Sequence, residues 1–315
     1  MTDQTVLVMS AVGDSTADMV TAELNEREVP VARVDPADFG RELSFTSVIS
    51  VGDPLAGTLV TASRTVDLGQ VRSIYWRRPE WPTFPDLSGP DLTWAKAQTR
   101  HGFGGVLMSL PGCVAVNDPL AEEAADYKPL QLAVAARLGF TVPPTLMSNR
   151  RADIEEFVTA HGQVIHKTLR WTDYRRNEEG LSVWTEPVTA DEIDDSAALV
   201  PHLFQARVDK VADLRVTVVG ERVFGVRIDS DLLDWRRDYG SLTYTVVDLP
   251  DRLVKMLRTY LEHFRLAFGC FDLCVDAQGD YHWLELNPNG EWGWIAAETG
   301  LPIAAAFADL LQGAS

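Results

Sequence analysis

The chain is poor in thiols: Cys113, Cys270 and Cys274 are the only cysteines among its 315 residues. So small and odd a number in a long chain excludes a disulfide framework, and with no clustered histidines it does not build a four-ligand zinc site. Cys270 and Cys274 therefore read as buried thiols. Positive charge is also scarce, with 28 Lys and Arg against 46 Asp and Glu and a net charge of -18. Binding a phosphate backbone needs a clustered basic surface, so no nucleic-acid partner is expected. No apolar run approaches the roughly 20 residues of a membrane-spanning helix. The N-terminal stretch has no positive region ahead of its short apolar run Val6-Leu7-Val8-Met9, so the expectation is a cytoplasmic protein with no membrane partner. Repeats and low-complexity tracts are absent. So are Gly-x-x-x-x-Gly-Lys-Ser/Thr and Gly-x-Gly-x-x-Gly near the lysines discussed below, which disfavours a P-loop or Rossmann nucleotide site.

What is present suits a globular chain with a sizeable core. Hydrophobic residues make up 46% and charged residues 23%, and the length suggests two or three packed lobes. Residues 6–10, 17–27 and 31–35 read as strand, helix and strand, the alternation of an open parallel sheet. Strands at 44–51, 58–61 and 73–76 follow, then a Pro- and Trp-rich loop at 79–90, a helix at 92–110 and a strand at 113–116. Asn117-Asp118-Pro119 marks a boundary. Beyond it come a helix at 121–138 carrying Lys128, a strand entry at 142–145, a helix at 154–160, a strand at 163–167, a polar loop at 170–181, a strand at 183–186 and a helix at 190–196. A strand at 202–208, two long strands at 213–219 and 222–229 and helices at 250–266 and 303–311 complete the pattern. The first lobe is α/β and the remainder α+β, with expected units 1–116, 117–202 and 203–315.

The densest chemistry lies in Tyr281-His282-Trp283-Leu284-Glu285-Leu286-Asn287-Pro288-Asn289-Gly290. Side chains alternate across a strand, so Glu285 and Asn287 share one face while Leu284 and Leu286 face the core. Upstream, Cys270-Phe271-Asp272-Leu273-Cys274 reads as the partner strand, joined through the polar turn Ala277-Gln278-Gly279-Asp280. Asp272 then stands beside Glu285 and Asn287. Two carboxylates and a carboxamide oxygen form a hard, all-oxygen set suited to Mg²⁺, which is commonly held by one or two carboxylates together with substrate phosphates. An ordinary hairpin with solvated acids is the other reading. Lys167, Arg215 and Arg227 interrupt apolar strands, and with Lys128 they supply the cations a triphosphate requires.

In this order the residues resemble the ATP-grasp superfamily: Lys128, Val164-Ile165-His166-Lys167, Phe204-Gln205-Ala206-Arg207-Val208, Asp213-Leu214-Arg215, Arg227, Asp272 and Glu285-Leu286-Asn287. The resemblance implies an ATP-grasp fold behind an N-terminal pre-ATP-grasp α/β domain, with ATP and Mg²⁺ between two lobes. It also implies roles. Lys128 and Lys167 would contact ATP phosphates; Gln205, Ala206 and Val208 would form the adenine hinge, and Asp209 would meet the ribose. Arg215 and Arg227 would reach the γ-phosphate and an acyl phosphate, and Asp272, Glu285 and Asn287 would hold the metal. The loop at 170–180 would cover the phosphates.

Over its whole length the chain is similar to the graspetide synthetases, which build microviridin-type ω-ester and ω-amide crosslinks. The segments that carry this closer likeness are Tyr75-Trp76-Arg77-Arg78-Pro79, Asn117-Asp118-Pro119 with Tyr127-Lys128-Pro129, Asp234-Trp235-Arg236-Arg237 and Asn287 to Trp294. It implies a ribosomally made precursor peptide with leader and core as partner, and a homodimer. Arg77, Arg78, Arg236 and Arg237 would dock an acidic core peptide on a chain whose net charge repels it; internal ion pairs are the alternative for these arginines. Trp292 and Trp294 would either line the core-peptide cleft or pack under the final helix. A ligase of small amino acids or protein tails, and a non-catalytic peptide-binding module, are the competing readings.

Overall fold

A computed structural model describes residues 4–52, 55–170, 174–176, 179–181 and 183–313. Strand β1 (Thr5–Met9) leads through helix α1 (Ser15–Glu26) to the parallel strand β2 (Val31–Val34). Val6, Leu7, Val8 and Met9 are all fully buried, as expected for a parallel strand covered on both faces. Asp14 caps α1 by accepting from the Ala17 amide at 2.8 Å. Strands β3 (Ser44–Val48), β4 (Ala56–Val60) and β5 (Thr65–Asp67) form a small antiparallel sheet of their own. Strand β6 (Val71–Trp76) returns parallel to β1, and helix α2 (Gly89–Met108) and strand β7 (Val114–Val116) complete the parallel order β2-β1-β6-β7. Leu7, Met9, Ile74 and Phe103 fill the space between this sheet and α2.

The helix expected over 121–138 is two helices, α3 (Pro119–Ala125) and α4 (Lys128–Arg137). Pro129 cannot continue a preceding helix but is tolerated in the first turn of a new one. The break puts Lys128 at a helix start. Strand β8 (Thr145–Ser148), helix α5 (Arg151–His161), strand β9 (Val164–Lys167), the short pair β10 (Tyr174–Arg176) and β11 (Glu179–Leu181), β12 (Glu186–Val188) and β13 (His202–Ala206) follow. Four of them form the sheet β12-β9-β13-β8. Val164 and Phe204 pack against Ile154 and Val158 of α5, so alternation turns Ile165, Lys167 and Gln205 to the opposite face. Residues 190–196, expected as a helix, form two 3-10 turns, and the strand expected at 183–186 begins only at Glu186.

The last unit is the antiparallel sheet β16-β15-β14-β17-β18. Its strands are β14 (Lys210–Val219), β15 (Arg222–Asp229), β16 (Thr243–Val247), β17 (Phe268–Asp276) and β18 (Tyr281–Asn287). Helix α6 (Asp251–Phe264) lays Leu253, Leu257, Tyr260 and Leu261 on Leu214, Val216, Phe271 and Trp283. After α7 (Gly293–Thr299), helix α8 (Ile303–Gln312) returns to the parallel sheet. Phe307 of α8 stands 4.8 Å from Tyr75 of β6 and 4.8 Å from Phe268 of β17, ring centre to ring centre. One core thus fuses the first sheet to the last.

Candidate active site

The hairpin of β17 and β18 closes through a turn in which Gly279 takes a positive φ of 85°, a conformation glycine adopts without steric cost. Asp272 pairs with Glu285, Cys270 with Asn287, and on the other side Arg215 of β14 pairs with Asp272. Directly opposed residues share a face, so Arg215, Asp272, Glu285 and Asn287 form one polar patch. Leu286 enters the core as expected, but Leu284 does not. The register shifts after Asp272, leaving Leu273 opposite Trp283, and the extra residue, Leu284, turns to the polar side, where it lines the cleft. Trp283 takes its place in the core, fully buried against Phe140, Tyr260 and Phe271. A bulge reverses parity in this way because two residues oppose one.

Cations surround these carboxylates. Arg215 Nη1 donates to both oxygens of Asp272 at 2.8 and 2.9 Å, and Nη2 donates to the Glu291 carbonyl at 2.7 Å. Burial works against the Arg215 charge and Asp272 more than offsets it, so the guanidinium stays protonated. The amide nitrogen of Asn287 donates to Asp272 at 2.9 Å. Lys128 Nζ is ion-paired with Glu285, and Arg236 Nη1 lies 3.7 Å from the other Glu285 oxygen. Burial alone would raise the Glu285 pKa, but Lys128, Lys167 and Arg236 together outweigh it and hold this carboxyl well below the usual carboxylate range. Burial lowers the Lys167 pKa, and Glu285 opposes that shift.

Beside the patch a cleft of about 630 Å³, open to solvent, lies between the sheet β12-β9-β13-β8 and the sheet β16-β15-β14-β17-β18. Its walls carry Ile165, Val208, Leu233, Trp235 and Leu284, and its polar groups include Lys167, Arg236, Asp272 and Glu285. Gln205, Ala206, Arg207 and Val208 line one side. Gln205 is buried, donates to Thr145 at 2.9 Å and has an amide oxygen with no hydrogen-bond partner. Apolar walls, an acceptor beside a strand end and cations at the far end suit a flat, polar-edged base attached to phosphates.

Several sequence expectations are corrected here. Arg227 pairs across β14 and β15 with Leu214, not Arg215, so it emerges from the opposite face of the sheet. There it is partly exposed and bound to Asp229 at 2.8 Å, which removes it from the patch. Asp209 is exposed and does not line the cleft. An acid not expected from the sequence does line it, Asp213, paired with Lys210 at 2.5 Å. It lies two residues from Arg215 and so on its face, a period-two signal the sequence carried; nothing local marked Lys210. Arg77 is fully buried and bonded internally, so it is not on a surface that could dock a peptide. Arg78 is exposed, Arg236 is in the cleft, and Arg237 pairs with Glu186 while lying over the Trp184 ring. Trp292 is buried and stacked on Phe307 at 5.2 Å, whereas Trp294 joins Trp235, Tyr239 and Tyr244 in a half-exposed aromatic group. Of the cover expected over 170–180, residues 171–173 and 177–178 lie outside the described residues, while 174–176 and 179–180 belong to the pair β10 and β11.

The residues present fit a divalent cation and a nucleotide. Asp272, Glu285 and the amide oxygen of Asn287 are hard donors on one face, and the buried Nε of Arg215 is a donor without a partner. Among the described residues there is no group of three or more His, Cys, Asp or Glu side chains able to hold a metal. No helix among the described residues is long and apolar enough to cross a membrane. Fold and cleft together have the two-lobed arrangement expected of an ATP-grasp ligase.

No protein-family model matches the chain, and no curated protein matches it. Solved structures do, over its full length. It resembles an ATP-grasp ligase from Chryseobacterium gregarium associated with a ribosomally synthesised, modified peptide (RiPP) and solved with ADP and a leader and core peptide. The TM-score there is 0.90 at 23% identity, covering 99% of this chain and 97% of that one. The macrocyclase MdnC of Microcystis aeruginosa, bound with the precursor peptide MdnA, matches with a TM-score of 0.88 at 26% identity, covering 99% and 100%. The ligase PsnB, complexed with a minimal precursor, Mg and ADP, matches with a TM-score of 0.79 at 21% identity, covering 100% and 99%. The chain has the architecture of RiPP-maturing ATP-grasp ligases.

Proposed function

We propose that this chain is an ATP-dependent macrocyclase of a ribosomally made precursor peptide. An Asp or Glu carboxylate oxygen of the peptide attacks the γ-phosphorus of ATP, the bond to the β,γ-bridging oxygen breaks, and ADP leaves. A Ser or Thr hydroxyl or a Lys amine of the same peptide then attacks the acyl carbon. The bond to the phosphate oxygen breaks, inorganic phosphate departs with the proton balance, and an ω-ester or ω-amide remains. The observation that carries this reading is the grouping of Asp272 and Glu285 with four cations, Lys128, Lys167, Arg215 and Arg236, beside a cleft that Lys167, Arg236, Asp272 and Glu285 themselves line.

The barrier to the first step is repulsion between an anionic carboxylate and an anionic phosphate. Preorganised cations lower it because they need no reorientation as charge develops. Lys128 and Lys167 hold the phosphates, Gln205, Ala206 and Val208 bind the base, and Arg215 with Arg236 meets the transferred group. Asp272, Glu285 and Asn287 would hold Mg²⁺, which when bound neutralises phosphate charge and orients the triphosphate. Arg78 and Arg237 remain as docking groups for an acidic core peptide. The reading includes a division into units 1–116, 117–202 and 203–315, a cytoplasmic location and a homodimer, the last open to light scattering in solution.

The test is incubation of the protein with ATP, Mg²⁺ and the peptide encoded beside its gene, followed by mass spectrometry. The expected product is lighter by one water per crosslink, with ADP formed in step. An unchanged peptide mass in the presence of active cofactors would overturn the proposal.

A further inference from the structure

Arg77 follows directly on β6, yet its guanidinium is fully buried and faces three partner residues, Asp14, Asn289 and Glu291, the last two more than 200 residues away along the chain. Nη1 donates to the Asn289 carbonyl at 2.9 Å and to its side-chain oxygen at 3.0 Å. Nε lies 3.2 Å from Asp14, and Nη2 is paired with Glu291. The other Glu291 oxygen accepts from the Thr16 hydroxyl and, at 3.4 Å, from the Gly293 amide. The Glu291 side chain is therefore held at both oxygens, one by Arg77 beyond β6 and the other by Thr16 of α1. Its backbone carbonyl accepts the 2.7 Å bond from Arg215 Nη2. Between them, Gly290 leaves no slack, since a Cβ there would stand 2.4 Å from Cys270 Cβ and 3.1 Å from Arg215 Nη2.

We infer that Arg77 is a positioning residue for Arg215, acting through Glu291, an inference that rests on the ligase reading proposed above. The physical argument concerns what a buried ion pair is worth. Desolvating a guanidinium and two carboxylates costs several kcal/mol per ion, so such a cluster contributes little net stability over an apolar one. It does fix geometry. Charge-assisted bonds from a planar fork set the orientation of each partner as well as its distance. Asp14, Arg77 and Glu291 thereby anchor the 289–291 turn to the first sheet, and the turn's carbonyl sets one of the two directions that define the Arg215 plane. Asp272 sets the other.

The consequence is that disturbing Arg77 lowers the rate of the chemical step without weakening peptide or nucleotide binding. A reacting group displaced by about 1 Å can lose on the order of a hundredfold in rate. The experiment compares wild type with Arg77→Ala, Arg77→Lys and Glu291→Gln, each checked by thermal melting. It measures kcat and KM for the precursor peptide and Kd for a non-hydrolysable ATP analogue. A fall in kcat of about tenfold to a hundredfold is expected, with KM and Kd within about twofold. Arg77→Lys should recover part of the loss through its charge but not its fork.

The decisive comparison uses Arg215→Lys as a background with residual turnover. If Arg77 acts through Arg215, adding Arg77→Ala or Glu291→Gln to that background costs little more, because residues of one network are not additive. Losses that multiply in full, or a rise in peptide KM with kcat unchanged, would overturn the inference, the latter by making Arg77 a docking group. Should Arg77→Ala fail to fold, Glu291→Gln carries the same comparison. Absence of turnover in the wild type would instead count against the ligase reading itself.

Discussion

The tripeptide Trp-Arg-Arg occurs twice, as Trp76-Arg77-Arg78 and Trp235-Arg236-Arg237, and its two copies have opposite fates. In the first the leading arginine is fully buried at the end of a parallel strand and bonded to Asp14, Asn289 and Glu291. In the second the leading arginine sits in a 3-10 turn, 42% exposed, bidentate on Asp234 at 2.8 Å and 3.7 Å from Glu285. One copy ties the first sheet to the turn after β18; the other reaches into the cleft. A doubled arginine therefore carries no fixed role. Its surroundings decide whether the charge is a fastening or is available to a ligand.

Substitution should separate the two copies. Arg77→Ala removes a fully buried guanidinium and leaves Asp14 and the partly exposed Glu291 without their cation, and a stability loss of about 3 kcal/mol is expected, read from the urea midpoint at constant slope. Arg236→Ala should cost less, about 1–2 kcal/mol, because Arg236 itself is half-exposed although its partner Asp234 is buried and keeps the Thr185 and Arg236 backbone amides as donors. Its effect belongs to turnover, with kcat falling about a hundredfold, or about 2.7 kcal/mol in the barrier. Similar urea midpoints for the two variants would erase the contrast.

The carboxylates around the cleft sharpen the same comparison. Glu285 faces several cations and is held below the usual range, so its contribution to stability is present above its ordinary value of 4.5 and is lost as pH falls through the depressed value. Asp213 is pushed up by burial to about 6 from an ordinary 3.8, with Lys210 only partly opposing. Its contribution is complete below 3.8 and lost as pH rises through about 6. Asp213→Asn should therefore gain on wild type as pH rises from 4 to about 7, by chemical denaturation at each pH. A gap that narrows over that window would reverse the assignment. The smallest effect is expected at Arg227, on the far face and paired with Asp229. Arg227→Ala should change stability by less than about 0.5 kcal/mol and leave kcat/KM within about twofold. A hundredfold loss would restore it to the reaction centre.

Much of this architecture was legible locally. The strand-helix-strand opening and the hairpin with Asp272 opposite Glu285 follow from periodicity and turn chemistry, and the structure places them as the residues suggest. The misses share a cause. Arg227 and Arg215 look alike in the sequence because both interrupt apolar strands, but their faces depend on how the turn between β14 and β15 sets the register. Leu284 was placed in the core by simple alternation, which a bulge overrides without altering the composition of the strand. Strand β16 has no expectation because it is an edge strand with mostly exposed residues, and burial is what gives a strand its readable pattern.

The amino-acid sequence by itself determined which residue types are available to grip a nucleotide and that Glu285 and Asn287 share a face, since alternation depends only on neighbouring residues. Tertiary structure decided which cation meets which carboxylate. Lys128 reaches Glu285, and Arg77 reaches Asn289, across sequence separations of 157 and 212 residues. Those pairings follow from how the sheets pack, and desolvation then makes each of them either a fixed internal tie or an open site.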